Sequence, residues 1–98
     1  MELKDTVSLM NSEDYKERFI AEYCQTKIRY DKLHRMCTKY EAGTLDFNPN
    51  CSLALLLEQK SYMGQYLHKL EIRAEIEKIP LPIVELRWDG VKSMPGEK

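Results

Sequence analysis

Apolar positions in the first half of the chain recur at the spacing of one helical face. Between residues 12 and 42 they alternate at intervals of four and three, as a helix packed along one side requires. Asn11 or Ser12 can cap the start of this helix, and Gly43 supplies a stop at its end. The pattern therefore predicts a long helix over about residues 12–42. Its seam consists of Phe19, Tyr23, Thr26, Tyr30, Leu33, Cys37 and Tyr40.

A second seam with the same alternation begins near Ser52, and prolines at 80 and 82 end it. Residues 43–50 between the two seams are dense in turn formers. Pairing the helices about this loop brings Tyr23 near Leu70, so the sequence predicts an antiparallel hairpin. The second seam consists of Leu53, Leu56, Lys60, Met63, Leu67, Leu70, Ala74 and Glu77.

The two ends of the chain carry weaker patterns. Leu3, Val7 and Met10 recur at helical spacing and predict a short amphipathic helix, whereas Ile83 to Trp88 reads as an extended segment. The predicted fold is all-α: a two-helix hairpin with a short N-terminal helix and an extended C-terminal tail, which is a β-strand if it finds a partner strand. We expect a hairpin domain over residues 1–81 and a tail over residues 82–98.

Two paired helices bury only one stripe each, which gives a small core for a chain of this length. Further apolar side chains flank both seams, and they predict a homo-oligomer with subunits packed through these stripes. The alternative is a monomer in which the N-terminal helix and the tail cover the same surface. The flanking residues are Leu55, Tyr62 and Tyr66 on the second helix, and Ile20, Ile28 and Met36 on the first.

Composition excludes several classes of protein. The net charge is −1, with acidic and basic residues interspersed, so we expect no bulk binding of nucleic acid. No run of residues approaches the length of a membrane span, and the first residues lack an apolar signal sequence, so we expect a cytoplasmic protein without membrane contact. The three cysteines cannot all pair with one another, so we expect reduced thiols and no disulfide framework.

The sequence contains no recognisable catalytic arrangement. The four glycines stand apart from one another, and no serine lies in a nucleophile motif. His34 and His68 are predicted on helix surfaces, where a solvated histidine is the simplest interpretation. Cys37 lies one turn from His34, but no second close pair completes a zinc site. We therefore expect no enzyme, no cofactor and no bound metal.

One face of the second helix combines aromatic and basic side chains. Tyr62, Tyr66, Lys69 and Arg73 follow one another at intervals of four, three and four, and the hairpin register predicts Lys27 near Tyr66. The register also brings Arg18 towards the Arg73 end of the hairpin. Tyrosine can stack on a base while arginine and lysine hold phosphate, so these six residues are predicted to bind a small nucleotide. The alternative is a mixed subunit interface with ordinary surface charge.

One pattern of positions runs through both predicted helices: Tyr15 to Phe19, Glu22, Tyr23, Arg29, Tyr30, Leu33, Leu56 to Gln59, Met63, Tyr66, Leu67, Leu70, Glu71, Arg73 and Ala74. This pattern resembles a family of small helical-hairpin proteins of phages and prophages, related to a crAss-like phage protein. The resemblance covers about residues 5–81 and leaves out the chain from Pro82 onward. It implies a hairpin and a phage setting, and hence the cytoplasm of the host cell.

By a looser analogy, other short phage hairpin proteins form oligomers and sequester the cyclic nucleotide signals of bacterial immunity. The leading hypothesis is therefore a non-enzymatic, phage-encoded protein that sequesters such a signal. The alternatives are an inhibitor that binds a host defence protein, for example a CRISPR component, through a hairpin face or the Trp88 tail, and a minor structural or assembly factor of the virion.

Overall fold

The computed structural model describes residues 1–82, which form an antiparallel helical hairpin with a short N-terminal segment. A 3-10 turn at Leu3–Thr6 leads into a single α-helical turn, α1, at Val7–Met10. The two long helices are α2, Tyr15–Ala42, and α3, Leu53–Glu77. The predicted all-α hairpin with a short N-terminal helix is confirmed. The predicted extended segment at residues 83–88 lies outside the described residues.

Capping groups explain where the long helices begin and end. The Ser52 hydroxyl accepts a hydrogen bond from Leu55 N at 3.2 Å, and Gly43 ends α2 with a φ of 77°, a left-handed conformation that glycine adopts readily. The predicted start of α2 at residue 12 is wrong. Asp14 caps the helix by accepting from Lys16 N at 3.0 Å, while the Ser12 hydroxyl accepts from Asp14 N before the helix starts.

The two predicted seams meet along the hairpin and form its core. Phe19 and Tyr23 of α2 are buried against Leu70 and Ala74 of α3 in one cluster. Further along the hairpin, a methyl group placed on Gly64 would lie 3.4 Å from the ring of Tyr30, so the helices run close together there. The predicted antiparallel register is therefore correct to about one residue.

A lysine on a predicted seam finds a partner across the hairpin. Lys60 lies half-buried on α3, with its Nζ 2.7 Å from His34 Nδ1 on α2. A neutral imidazole nitrogen can accept this hydrogen bond, which offsets the cost of removing the ammonium from water. His34 is thus an internal partner of the hairpin, and its interpretation as a solvated surface histidine is wrong.

The N-terminal segment packs against the side of α2 that faces away from α3. Thr6 is completely buried; its hydroxyl donates to Leu3 O at 2.7 Å and accepts from Gln25 Nε2 at 2.8 Å. Cys24 and Ile28 of α2 are also fully buried. The prediction that Ile28 adds exposed surface for assembly is wrong, because a third layer of the subunit itself covers this stripe.

Candidate functional site

The predicted binding residues of α3 share one exposed surface, here called the outer face of α3. A helix advances about 100° per residue, so residues spaced by three and four remain within a narrow sector. The outer face lies beside the core seam and is open to solvent over residues 1–82. It consists of Leu55, Tyr62, Tyr66, Lys69, Arg73 and Ile76, all of them exposed.

Arg73 is held by side chains from both helices at the open end of the hairpin, where α2 begins and α3 ends. Its Nη2 donates to the Tyr15 hydroxyl at 2.7 Å, and its Nε donates to Glu77 Oε2 at 3.5 Å. The guanidinium carbon also lies 4.8 Å from the ring centroid of Phe19, in cation–π geometry. These contacts position the planar guanidinium before any ligand arrives.

Glu77 belongs to the group of side chains around Arg73, here called the Arg73 cluster, which consists of Tyr15, Phe19, Arg73 and Glu77. The Tyr15 hydroxyl donates to Glu77 Oε1 at 3.0 Å, so it joins α2 to α3 while accepting from Arg73. Glu77 lies on the predicted seam of α3, and its described partners are Tyr15 of α2 and Arg73 of α3. Tyr15 lies four residues before Phe19 on the same stripe of α2, and that spacing could have identified it from the sequence.

The Arg73 cluster remains accessible to an anion. The arginine side chain is 48% exposed, so a phosphate oxygen can approach its outer edge from solvent. Arginine offers five N–H donors in a planar fork that matches the geometry of phosphate. Tyr66 lies two helical turns before Arg73 on the same face, about 10 Å along the axis. The outer face therefore places an aromatic ring and a phosphate-binding group at a separation that a nucleotide can span.

Arg18 lies at the same end of the hairpin as Arg73. Its Nη1 donates to Ser12 O at 2.8 Å, which ties the side chain to the turn before α2. The side chain is exposed, so the open end carries a second arginine that a ligand could reach from solvent. The structure thus brings Arg18 and Arg73 to one end, as the register predicted.

Lys27 lies on the flank of the hairpin that carries Glu71 and Glu75, away from Arg73, and its predicted role in ligand binding stays a prediction. Its Nζ is 3.2 Å from Asp31 Oδ1 and 5.8 Å from the ring centroid of Tyr30. The side chain also borders an open cavity of about 500 Å³, whose other lining residues include Glu71 and Glu75 of α3. Those glutamates point away from the sector of Arg73, because they follow Leu70 and Ala74 on the far side of the seam.

The charges around this cavity disfavour a phosphate. The Tyr23 hydroxyl donates to Glu71 Oε2 at 3.3 Å, and burial together with the charge of Glu71 raises the pKa of Tyr23 to about 12. Tyr23 therefore stays a hydrogen-bond donor near neutral pH, while Glu71 and Glu75 present negative charge. An anionic ligand is better accommodated at Arg73 than on the Lys27 flank.

The titratable core residues are kept in their uncharged forms. Burial, followed by the charge of Lys60, lowers the pKa of His34, and burial raises the pKa of Cys24 and of Cys37. A thiol with a raised pKa is a poor nucleophile and a poor metal ligand. Within residues 1–82, no three histidine, cysteine, aspartate or glutamate side chains converge as metal ligands.

The helices described over residues 1–82 include none that is long and apolar enough to cross a membrane.

A family comparison adds to this geometry. The sequence model of the Sequestin family matches residues 13–76, which takes in α2 and nearly all of α3. The chain belongs to the Sequestin family. The family name indicates a binding role, sequestration, rather than a catalytic one. No curated protein and no solved structure matches the chain.

The Sequestin match covers all the residues that were predicted to bind a ligand. Arg18 and Lys27 on α2 lie within residues 13–76, as do Tyr62, Tyr66, Lys69 and Arg73 on α3. The N-terminal segment that buries Thr6 lies outside the match, as do residues 77–98. The family-specific part of this Sequestin chain is thus the hairpin itself.

Proposed function

We propose that this protein sequesters a small nucleotide, binding its phosphate with Arg73 and stacking its base on Tyr66. The observation that carries the proposal is the Arg73 guanidinium, which is positioned by Tyr15, Glu77 and Phe19 and remains 48% exposed. Arg18 and Lys69 add positive charge beside it. The Sequestin family membership supports a binding role without specifying the ligand.

The biological setting proposed here rests on the resemblance to phage hairpin proteins. In that setting the protein is encoded by a phage, acts in the cytoplasm of the host cell and lowers the concentration of a cyclic nucleotide signal used in host defence. Oligomers would raise the number of sites per particle.

The mechanism is mass action without bond cleavage. A protein present above both its dissociation constant and the signal concentration holds most of the signal in the bound state, so the free fraction falls below what the host effector needs. The described residues suit this task, because Arg73 and Lys69 are exposed cations available to an anion, while the buried thiols of Cys24 and Cys37 remain protonated. The ligand should therefore dissociate from the protein in its original chemical form.

The experiment is isothermal titration calorimetry with a panel of linear, cyclic mononucleotide and cyclic dinucleotide probes. One probe should bind the wild type, and Arg73→Ala should weaken that binding about tenfold or more, since a charge-assisted hydrogen bond contributes roughly 1.5–3 kcal/mol. Lys32→Ala is the matched control, because Lys32 is an exposed cation of α2 outside the Arg73 cluster. Unchanged affinity of Arg73→Ala for a bound probe would refute the assignment of this site.

Arg73→Lys separates charge from geometry. Lysine keeps the positive charge but lacks the planar fork, so we expect affinity between those of the wild type and the alanine variant. Circular dichroism should show the same helicity for all three proteins, because Arg73 is exposed. Failure of every nucleotide probe to bind the wild type would favour the alternative function, in which a hairpin face inhibits a host protein.

A further inference from the structure

The outer face of α3 has a central line of side chains that repeats every seven residues. Leu55, Tyr62, Lys69 and Ile76 form this line, and all four are exposed. Ile76 is 74% exposed and Tyr62 is 63% exposed, which is unusual for large apolar side chains in a helix that already buries its opposite side. A seven-residue repeat along a helix of 25 residues is the spacing at which two helices pack side by side.

We propose that α3 pairs with α3 of a second copy of this chain, antiparallel and related by a two-fold axis between residues 65 and 66. This register sets Leu55 opposite the partner's Ile76 and Tyr62 opposite the partner's Lys69. Each contact then occurs twice, as a two-fold interface requires. The apolar pairs lie at the two ends of the interface, and the tyrosine–lysine pairs lie nearer its centre.

Charge complementarity selects the antiparallel arrangement. A parallel pair would stack Lys69 on the partner's Lys69 along the central line, and like charges facing each other are unfavourable. In the antiparallel pair the Lys69 ammonium faces the partner's Tyr62 ring, where cation–π attraction is available. Glu58, which is exposed on the same side, comes level with the partner's Arg73. The surface is thus complementary to itself in only one of the two directions.

This pairing deepens the proposed function, on which its biological meaning rests, because it brings Tyr66 beside the partner's Tyr66. The Arg73 clusters of the two copies then lie on either side of the two tyrosines. A nucleotide bound between Tyr66 and Arg73 would lie along the edge of the interface. Dimerisation itself does not depend on that ligand.

Three substitutions on the central line test the pairing by sedimentation equilibrium. Tyr62→Lys sets a lysine opposite the partner's Lys69 at each of the two symmetric contacts and should weaken the dimer about tenfold or more. Tyr62→Glu replaces the tyrosine–lysine pairs with ion pairs, so the dimer should persist. The double variant Tyr62→Lys with Lys69→Glu should recover dimerisation. Lys32→Glu is the control for a charge reversal away from the face and should sediment as the wild type does.

These variants are expected to fold, because Tyr62 and Lys69 are exposed and lie outside the core. Wild-type protein that stays monomeric at its highest soluble concentration overturns the proposal. The antiparallel register is overturned if Tyr62→Lys and Tyr62→Glu weaken the dimer equally, or if the double variant fails to dimerise. Nucleotide binding is scored separately through Arg73→Lys, so loss of one property with retention of the other shows which proposal fails.

Discussion

Gly64 lies within α3 facing Tyr30 of α2, and replacing it provides a quantitative test of the described spacing between the two long helices. An alanine methyl group would lie 3.4 Å from Tyr30 Cε1 and 3.7 Å from its hydroxyl oxygen, which is ordinary van der Waals contact. The substitution therefore adds no clash. Alanine favours a helix interior over glycine by about 0.8–1.0 kcal/mol, because glycine loses more backbone entropy on folding.

We expect Gly64→Ala to raise the free energy of unfolding by about 0.5–1 kcal/mol, which corresponds to a rise in Tm of roughly 4 °C or somewhat more for a domain of this size. Gly43→Ala is the matched control. Gly43 ends α2 with a φ of 77° and has open space around it, so the same added methyl should cost about 1 kcal/mol through backbone strain alone.

The assay is urea denaturation of both variants and the wild type, followed by circular dichroism at one fixed protein concentration, since assembly makes apparent stability depend on concentration. Opposite signs for the two alanines support the described geometry. Destabilisation by Gly64→Ala of the same size as that of Gly43→Ala would show that Tyr30 and Gly64 pack more tightly than described, and would refute the described spacing of the helices.

Three further substitutions test other parts of the subunit. Thr6→Val removes both hydrogen bonds of a buried hydroxyl and should lower the free energy of unfolding by about 1–2 kcal/mol, whereas exposed Thr38→Val should change it little in the same urea assay. Because the pKa of His34 is lowered, the unfolded chain binds more protons below the ordinary value of about 6.5, so stability should fall as the pH drops from about 7 through that value. Lys60→Met removes one cause of that shift and should flatten the dependence of Tm on pH; an unchanged slope would contradict the Lys60–His34 pairing. Leu70→Ala opens the core and should cost about 2–5 kcal/mol; a cost below about 1 kcal/mol would place Leu70 outside the core.

Periodicity along the chain was enough to predict the hairpin. The seam residues of α3 and the caps at Gly43 and Ser52 all lie where their spacing and chemistry placed them. The start of α2 was mispredicted because Ser12 and Asp14 are both good capping residues, and only the folded turn decides between them. Local sequence therefore predicted the helices better than it predicted their first turns.

The candidate site was only partly predictable, because it depends on which flank of the hairpin each side chain occupies. Tyr62, Tyr66, Lys69 and Arg73 share a face through spacing along one helix, which the sequence shows directly. Lys27 lies on another helix, and an offset of one residue rotates a side chain by about 100°, enough to move it to the other flank. Contacts between helices need a register known to better than one residue.

The N-terminal layer was also difficult to predict. Cys24 and Ile28 flank the main seam in a way that suits either a subunit interface or a cover supplied by the same chain. The structure shows the second arrangement, in which Thr6 and Leu3 pack over this side of α2. The outer face of α3 carries similar apolar side chains without such a cover among residues 1–82, which is why the interface is proposed there.

Sequestration requires that the protein hold a small nucleotide without altering it. Native mass spectrometry of protein incubated with the nucleotide panel, followed by denaturation of the same sample, measures both properties. We expect an assembly that carries a phosphate-containing adduct, which is released on denaturation with the mass of the nucleotide supplied. A protein that carries no nucleotide, or one that releases a product of different mass, would contradict sequestration as its function.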